Sequence, residues 1–284
     1  MSPFGIRLGA AMSHQGPVCV GIDPHRALLE AWGLPDTVEG LRRFSLTALE
    51  AFAGHAAAVK PQSAFFERFG SAGVAVLEEV LAGLREAGTV SLLDVKRGDI
   101  GSTMGAYAEA YLSDGSPLRA DAVTVSPYLG FGSLDPALEL ARSTGRGVFV
   151  LAMTSNPEGA GVQHATWHDT TVAGEVIART TRANAAAVDA GVLGDVGLVV
   201  GATVGGDIAE LGLADDLAAS AAPLLAPGFG AQGATVADVT RGFGAAAGQV
   251  LLATSRAVLQ QGPDIRSLRV ALRQAQDEAA ALRG

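Results

Sequence analysis

The sequence has very little cysteine and no long hydrophobic run. Its lone cysteine, Cys19, rules out an internal disulfide bond, and its place in the apolar stretch PVCVGID predicts a packing residue rather than a nucleophile. Charged residues or glycines interrupt every apolar stretch before the roughly 18 residues that a membrane-spanning helix needs. The first residues also lack the basic head and apolar segment of a secretory signal. These absences predict a cytoplasmic protein with no membrane partner.

Charged and aromatic side chains are scarce as well. Asp, Glu, Lys and Arg make up 17% of the chain, Phe, Trp and Tyr make up 5%, and the formal net charge is −9. Most of such a surface repels nucleic-acid phosphates, and the sequence offers no basic run interleaved with aromatics. We therefore expect no nucleic-acid partner. A phosphorylated small molecule stays possible, because local cations and helix N-termini can hold one.

The histidines show no metal-binding pattern. His164 and His168 are four residues apart in HATWH, but no glutamate follows the first histidine as a zincin motif requires. We expect surface or packing roles and no metal site for the whole set. Its members are His14, His25, His55, His164 and His168.

What the sequence does contain is a series of short β-branched or apolar runs separated by segments with helical periodicity. Eight runs occur, at 18–23, 57–62, 89–96, 122–128, 147–155, 196–203, 223–229 and 249–256. Strand and helix units of this number favour an α/β fold, a single-domain (β/α)8 TIM barrel over residues 1–284. An open doubly wound sheet would need a glycine-rich phosphate turn after its first strand, and GIDPHRALLEAWG provides none.

Polar residues stand where these predicted strands end, which is the position of reactive groups in such barrels. The third run ends in LLDVKRGDIGST, with two aspartates and two basic residues close together in an apolar context. Asp94 and Lys96 are two residues apart in a strand, so we expect their side chains on the same face. Lys60 lies near the end of the preceding strand. We expect these three charged groups to converge over the barrel mouth.

Neighbouring polar residues have plainer interpretations when each is taken alone. Asp23 precedes a proline and is also typical of a turn. Asp99 precedes a predicted helix, Ser102 to Leu112, and is also typical of a helix N-cap. We expect Arg97 to be a solvated loop charge. Taken singly, these residues leave structural and functional roles open.

The ordered set DVKRGDIGST resembles the signature of the orotidine 5'-phosphate decarboxylase family, Asp-x-Lys-x-x-Asp-Ile-x-x-Thr. The matching residues are Asp94, Lys96, Asp99, Ile100 and Thr103. The resemblance continues through GID, AVKPQSAFFERFG, TSNPEG and LLAPGFGAQGA to the arginine at the end of the eighth run. The segments AVKPQSAFFERFG and TSNP are similar to the corresponding segments of the longer bacterial branch of that family.

The resemblance implies decarboxylation of orotidine 5'-monophosphate to uridine 5'-monophosphate, the last step of pyrimidine nucleotide synthesis, without metal or organic cofactor. In the family pattern Lys96 protonates C6 of the pyrimidine, and Asp94 faces the substrate carboxylate. Lys60 and Asp23 would complete the charge network and contact the ribose hydroxyls.

The second half of the motif implies a homodimer. In the family Asp99, Ile100 and Thr103 enter the active site of the other subunit, so two chains share each site. Three apolar or aromatic residues after the motif have helical spacing and form one stripe. They are Met104, Tyr107 and Tyr111. The stripe is equally consistent with packing against the partner subunit and with packing in the core.

Other family positions describe the rest of the nucleotide. Ser155 matches a serine that reads the pyrimidine edge, and Arg256 matches the charged phosphate contact. The glycine-rich APGFGAQGA suits a mobile lid, with Pro227 at its base and Gln232 reaching the phosphate. Two departures stand out: Ser255 precedes Arg256 where many members have glycine, and glycines in GATVGGDI replace an expected proline.

Two other functions remain open. Mg²⁺-dependent sugar-phosphate decarboxylases and aldolase-type barrels share the Asp-x-Lys-x-x-Asp frame, but their carboxylates hold the metal. Ile100, Thr103 and Lys60 argue against that alternative. The second is a non-catalytic barrel that binds a nucleotide, although such a protein has little reason to keep the whole charged set.

Overall fold

The computed structural model describes residues 2–230 and 233–283, and eight barrel strands form the framework of these residues. The strands are β1 (Val18–Ile22), β2 (Ala58–Pro61), β3 (Val90–Arg97), β4 (Ala122–Val125), β5 (Gly147–Met153), β6 (Val196–Val200), β7 (Leu224–Pro227) and β8 (Val250–Thr254). Neighbouring strands pair in parallel, and β1 pairs with both β2 and β8, so the sheet closes. The predicted (β/α)8 barrel is confirmed.

Helices surround the barrel and fill the connections between its strands. They are α1 (Phe4–Gln15), α2 (Arg26–Ala31), α3 (Val38–Phe52), α4 (Ala64–Glu67), α5 (Gly70–Glu86), α6 (Gly101–Leu112), α7 (Asp135–Thr144), α8 (Ala160–Gln163), α9 (Val172–Ala183), α10 (Ala185–Ala190), α11 (Gly205–Glu210), α12 (Ala214–Ala219), α13 (Val236–Phe243), α14 (Arg256–Leu259) and α15 (Ile265–Ala279). A short antiparallel ribbon pairs Thr166–Trp167 with Thr170–Thr171 between α8 and α9. In the described parts of the chain, no helix combines the length and apolar character that a bilayer-spanning segment requires.

Most strand residues are buried, as expected for a parallel sheet that is covered by helices. Several predicted strands run past the observed carboxyl ends. β4 ends at Val125 rather than Tyr128, and β6 ends at Val200 rather than Thr203. Pro127 explains the first difference, because it has no N–H to donate to the sheet. The residues beyond each strand belong to the loops of the barrel mouth.

Helix α1 closes the amino-terminal end of the barrel, a role that the sequence did not reveal. Its buried face packs against the strands, and the rings of Phe4 and Phe149 meet edge to face with centroids 6.0 Å apart. Gly147 makes room, because a Cβ atom there would lie 2.3 Å from the Phe4 ring. Arg7 Nη1 pairs with Asp121 Oδ1, just before β4, at 2.6 Å. The helix therefore completes the hydrophobic core.

We predict that Phe4→Ala lowers the free energy of unfolding by about 3–5 kcal/mol, because truncation leaves a cavity against Phe149 that the barrel end cannot refill. Urea denaturation followed by circular dichroism measures the loss. Ile6→Ala on the same helix is the matched control, since Ile6 is 46% exposed and should cost less than about 1 kcal/mol. Equal losses of unfolding free energy in the two variants would contradict the role of α1 in closing the barrel end.

Candidate active site

A buried carboxylate at the carboxyl end of β3 is the centre of a charged cluster. Lys60 Nζ lies 3.1 Å and Gln62 Nε2 lies 3.0 Å from Asp94 Oδ2. On the other oxygen, Lys96 Nζ lies 2.5 Å and the Thr124 hydroxyl 2.8 Å from Oδ1. Asp94 thus accepts four hydrogen bonds from groups on three strand ends, two of which carry positive charge. The predicted convergence of Asp94, Lys96 and Lys60 is present.

The cluster continues as a row of alternating charges. Asp23 Oδ1, at the end of β1, lies 3.9 Å from Lys60 Nζ, so the order is Asp23, Lys60, Asp94 and Lys96. The side chains of Lys60 and Asp94 are 9% and 8% exposed, whereas that of Lys96 is 45% exposed. Lys96 is therefore the more exposed of the two cations in this row.

The charges hold each other in place against the cost of burial. Burial alone would raise the pKa of the Asp94 carboxyl, but the charges of Lys60 and Lys96, with hydrogen bonds from Lys96 and Thr124, hold it well below its usual value. Burial alone would lower the pKa of the Lys60 ammonium, but the charges of Asp23 and Asp94 outweigh burial and raise it. Both groups are therefore charged at neutral pH.

Lys96 reaches Asp94 through an irregular strand rather than through simple alternation. Leu93 pairs with Val123 and Arg97 pairs with Val125, so three residues of β3 lie opposite a single residue of β4. Lys96 itself has a φ of +45°, in the left-handed region that non-glycine residues rarely adopt. The sequence predicted the contact correctly, but the bulge that produces it was not predicted.

A cleft extends from this row of charges across the barrel mouth to β7 and β8. The charged lining residues are Asp23, His25, Lys60 and Arg256, and Pro227 to Phe229 and Ala253 to Ser255 complete the wall. Asp23, Lys60, Pro227 and Arg256 thus share one cleft, as the family resemblance implied. Asp94 and Lys96 are not among its lining residues and adjoin it through the pairing of Asp94 with Lys60. The sequence analysis missed His25 and assigned it only a surface or packing role.

His25 lies between the acidic and basic ends of this cleft. Its ring packs on that of Phe65, with centroids 4.1 Å apart. Burial lowers the pKa of the imidazole; the charges of Arg256 and Arg68 act in the same direction, and the charge of Asp23 opposes them. His25 therefore adds an imidazole to the cleft that Arg256 also lines.

The second half of the signature lies apart from the first in the single chain. The Asp99 carboxylate accepts a hydrogen bond from the backbone N–H of Ile100 at 2.8 Å, and α6 begins directly afterwards. Ile100 is 62% exposed and Thr103 is exposed as well. Among the described contacts, none joins Asp99 to Asp94 or Lys96. The site of one chain therefore contains the Asp94 half of the motif.

Other predicted site residues have different outcomes. Ser155 is exposed just beyond β5, where it packs beside Gly201, and it does not line the cleft. Gln232 lies outside the described residues. Gly228 and Gly230, after β7, have φ of +103° and +73°, which explains why the predicted lid segment is rich in glycine.

Both departures from the family pattern have a packing partner. A Cβ atom at Gly21 would lie 2.7 Å from the Cβ of Ser255, so the serine fits beside β1 because position 21 is glycine. A Cβ atom at Gly205 would lie 2.8 Å from the Cα of Gly242, so the glycines after β6 let α11 approach α13. The departures therefore change the packing around the mouth and keep Arg256 in the cleft.

The contacts of Arg97 and of the first residues of α6 differ from one expectation and decide between two others. Arg97 is not a solvated charge, because Nη2 pairs with Glu67 Oε1 at 2.6 Å and its guanidinium lies over the Tyr107 ring. Met104 and Tyr111 are buried in the core of their own chain, and Tyr107 is partly buried against it. The structure therefore favours the core-facing interpretation of this stripe.

Comparison with known proteins agrees with this geometry. The profile of the orotidine 5'-phosphate decarboxylase / HUMPS family matches residues 16–270. The chain belongs to this family. Relatives named orotidine 5'-phosphate decarboxylase include one from Salinispora arenicola, 59% identical over 272 residues, and one from Streptomyces coelicolor, 56% identical over 273 residues. Each alignment covers 95% of this chain and 95% of the relative.

Solved structures of family members share the whole fold. A Streptomyces avermitilis protein, whose crystal structure carries the provisional name orotidine 5'-phosphate decarboxylase, is 55% identical with a TM-score of 0.93. That alignment covers 100% of this chain and 96% of the other. The OMP decarboxylase of Leishmania donovani is 31% identical with a TM-score of 0.77, over 100% of this chain and 99% of the other. The barrel is therefore retained at much lower sequence identity.

We predict that Asp94→Asn lowers the free energy of unfolding by about 3–5 kcal/mol at neutral pH, because it removes one partner of the buried Lys60. The lowered pKa of Asp94 means that its contribution is present above the ordinary value of 3.8 and is lost as the pH falls below it. The raised pKa of Lys60 means that its contribution is present below 10.5 and is lost at higher pH.

The loss of unfolding free energy in Asp94→Asn should thus be constant between about pH 5 and 9 and shrink below about pH 4. Urea denaturation at a series of pH values measures it. Asp99→Asn is the matched control, since among the described residues Asp99 accepts a hydrogen bond only from the adjacent N–H of Ile100, and it should cost less than about 1 kcal/mol. A deficit that disappears between pH 5 and 9 would contradict the charge pairing described here.

Proposed function

We propose that this protein decarboxylates orotidine 5'-monophosphate to uridine 5'-monophosphate, the last step of pyrimidine nucleotide synthesis, and that Lys96 donates the proton. The observation that carries the proposal is the accessible Lys96 ammonium, held by Asp94, which also pairs with Lys60 in the wall of the cleft that contains Arg256. The names of the curated relatives support an enzyme of the carboxy-lyase class.

The chemistry requires a cation that is already in position. When the bond between C6 and the carboxylate carbon breaks, CO₂ leaves and the electron pair stays in an in-plane orbital at C6, where no ring carbonyl delocalises it. An ammonium beside C6 stabilises this pair without reorganisation. An N–H proton of Lys96 then forms the new C6–H bond, and the lysine becomes neutral until solvent protonates it again. This sequence needs neither metal nor organic cofactor.

The other charges prepare Lys96 for this step. A charge pair about 4 Å apart contributes on the order of 4 kcal/mol at an effective dielectric constant near 20, which is enough to hold the ammonium against Asp94. In the proposed complex Asp94 also faces the substrate carboxylate, and Lys60 and Asp23 contact the ribose hydroxyls. Because Lys60 is paired with both aspartates, the row stays nearly neutral and rigid before the substrate binds.

Binding of the phosphate would supply the energy for orientation. In the proposed complex Arg256 pairs with the phosphate beside Pro227, and Gln232 and Ser155 contact the phosphate and the pyrimidine edge. The cleft supports the first part of this assignment, since it runs from Lys60 to Arg256. Interactions remote from the reacting carbon can then promote the reaction, as long as they position C6 against Lys96.

The charges of the cluster disfavour the metal-dependent alternative. Both oxygens of Asp94 already contact a lysine ammonium, so a divalent cation at that carboxylate would meet two positive charges at short range. Asp99, the second carboxylate of the shared frame, accepts a hydrogen bond from the backbone N–H of Ile100 instead. Measurement of turnover distinguishes catalysis from the non-catalytic alternative.

We also propose a homodimer in which Asp99, Ile100 and Thr103 complete the site of the partner. Exposure supports it, because Ile100 is 62% exposed and the loop after the neighbouring β4 exposes Tyr128 and Leu129 by 79% and 52%. Exposed apolar side chains that lie near one another are typical of protein interfaces. A two-fold dimer would cover both loops and bring Asp99 to a second cleft.

Location and further partners are proposed on composition alone. We keep the expectation of a cytoplasmic protein with neither a nucleic-acid nor a membrane partner. The formal net charge of −9 supports the absence of nucleic-acid binding, because it repels phosphates.

Turnover of orotidine 5'-monophosphate in EDTA tests the activity. We expect the ultraviolet absorbance to change to that of uridine 5'-monophosphate, because no step requires a metal. Lys96→Ala should fold normally by circular dichroism and lose turnover by about a thousandfold or more, since it removes both the cation and the proton donor. Turnover only after Mg²⁺ is restored would favour the metal-dependent alternative. Tight binding without turnover would favour a nucleotide-binding barrel, and near-normal turnover by Lys96→Ala would overturn its assignment.

Mixing two inactive variants tests the shared site. Equal amounts of Lys96→Ala and Asp99→Ala subunits should form mixed dimers in half of the population, each with one intact site, and so recover roughly a quarter of wild-type activity. Lys96→Ala mixed with Asp94→Ala is the matched control, because both residues belong to the same subunit's site and no intact site can form. Native mass spectrometry verifies subunit exchange. Exchange without recovery in the first mixture would show that Asp99 serves its own chain.

A further inference from the structure

The hydroxyl of Thr124, on β4, connects the carboxylate of Asp94 to the backbone of Lys96. We propose that Thr124 is a positioning residue for the reaction, whose hydroxyl fixes the β3 bulge and thereby places the Lys96 ammonium. This inference rests on the proposed function, because it assigns the placement of the proton donor to a residue outside the signature. Thr124 itself would touch neither the substrate nor the reacting atoms.

The first support is the register of the two strands. Asp94, Val95 and Lys96 lie between the pairs Leu93 with Val123 and Arg97 with Val125, and they face Thr124 alone. In a regular parallel sheet the backbone N–H groups of β3 would donate alternately to carbonyls of its two neighbours, β2 and β4. A bulge of this kind leaves backbone donors without a ladder partner, and buried N–H groups need another acceptor.

The second support is that the Thr124 hydroxyl meets this need completely. Its oxygen accepts hydrogen bonds from the backbone N–H groups of Val95 and Lys96, both at 3.0 Å. Its proton is donated to Asp94 Oδ1 at 2.8 Å. A hydroxyl has one donor and two acceptor positions, so all three are used. Thr124 is 1% exposed, so water does not easily replace it.

The third support is the conformation that these bonds stabilise. Lys96 has a φ of +45°, a backbone conformation that disfavours side chains with a Cβ atom, and surrounding interactions must maintain it. Thr124 holds the N–H of Lys96 directly and the carboxylate that Lys96 Nζ contacts. One side chain therefore constrains both ends of the lysine.

The composition of β4 alone gives no reason for a hydroxyl at this position. The strand AVTV is fully buried and its other members are alanine and valine, which are the usual residues of a covered parallel strand. Valine has almost the same shape as threonine and favours strands equally. The presence of threonine rather than valine at position 124 is explained if its hydroxyl serves the charged cluster around Asp94.

Steady-state kinetics of Thr124→Val test the proposal. We expect kcat for orotidine 5'-monophosphate to fall about 10- to 100-fold, because an ammonium displaced by a fraction of an ångström is poorly placed for C6. KM should stay within about threefold, since the phosphate contacts are elsewhere. Thr124→Ser keeps the hydroxyl and should retain most of kcat. Hydrogen exchange by mass spectrometry should show faster exchange of the peptide that contains Val95 and Lys96 in the valine variant alone.

Thr180→Val is the matched control. Thr180 is also fully buried, on α9, and its hydroxyl has no hydrogen-bond partner among the described residues. Its replacement should leave kcat, KM and exchange near Val95 unchanged. If Thr124→Val does not fold, Thr124→Ser and Thr124→Ala replace it, because these two side chains differ by the hydroxyl alone.

The outcomes separate this proposal from the proposed function. A wild-type protein without turnover would refute the function and this inference with it. Wild-type turnover with kcat of Thr124→Val within twofold of wild type would refute the inference alone. A serine variant as slow as the valine variant, or an alanine variant as fast as the serine variant, would also refute it, because the hydroxyl would then not be the cause.

Discussion

The barrel mouth depends on the carboxylate of Asp94, which accepts four hydrogen bonds while it is almost excluded from water. Burial of a charge is costly unless opposite charges and donors surround it, and here two lysines, a glutamine and a threonine do so. Because these donors come from the ends of β2, β3 and β4, the carboxylate ties three strands together. Any change of one donor disturbs the others, so the accessible Lys96 ammonium is placed by the whole cluster rather than by its own rotamer preference.

The two ends of the barrel divide the work of stability and chemistry. At the amino-terminal end, α1 buries Phe4 against Phe149 and closes an apolar core. At the carboxyl end, buried charges and glycine-rich loops replace that core, and they contribute less net stability because desolvation offsets much of their attraction. The apolar end can compensate for the charged end because closed strands connect the two. A chain that is only 17% charged can therefore contain a charged cleft, because the apolar end of the barrel compensates for the cost of burying those charges.

The sequence was sufficient for the strand order and for the meeting of Asp94, Lys96 and Lys60, because both follow from local periodicity and from the rule that strand ends share one edge. It could not reveal the bulge opposite Thr124, since register depends on two strands together, and AVTV has the composition of an ordinary buried strand. The signature also leaves out Gln62, whose amide donates a hydrogen bond to the same carboxylate. The sequence did not reveal the role of helix α1, because this helix precedes β1 and the repeating strand and helix units do not require it.

The signature divides between an inward and an outward half, and its spacing follows from the path of the chain. Lys96 turns inward through its left-handed backbone, and Gly98 then passes Ser126 so closely that a Cβ atom would lie 2.5 Å from that carbonyl oxygen. Gly101, with φ of +52°, begins α6 and leaves Ile100 exposed. Lys96 and Asp99 are three residues apart, yet they point to different places. If the proposed dimer forms, the segment from Asp94 to Gly101 holds the proposed proton donor and directs Asp99 to the partner, so the proposed catalysis and assembly share one short segment.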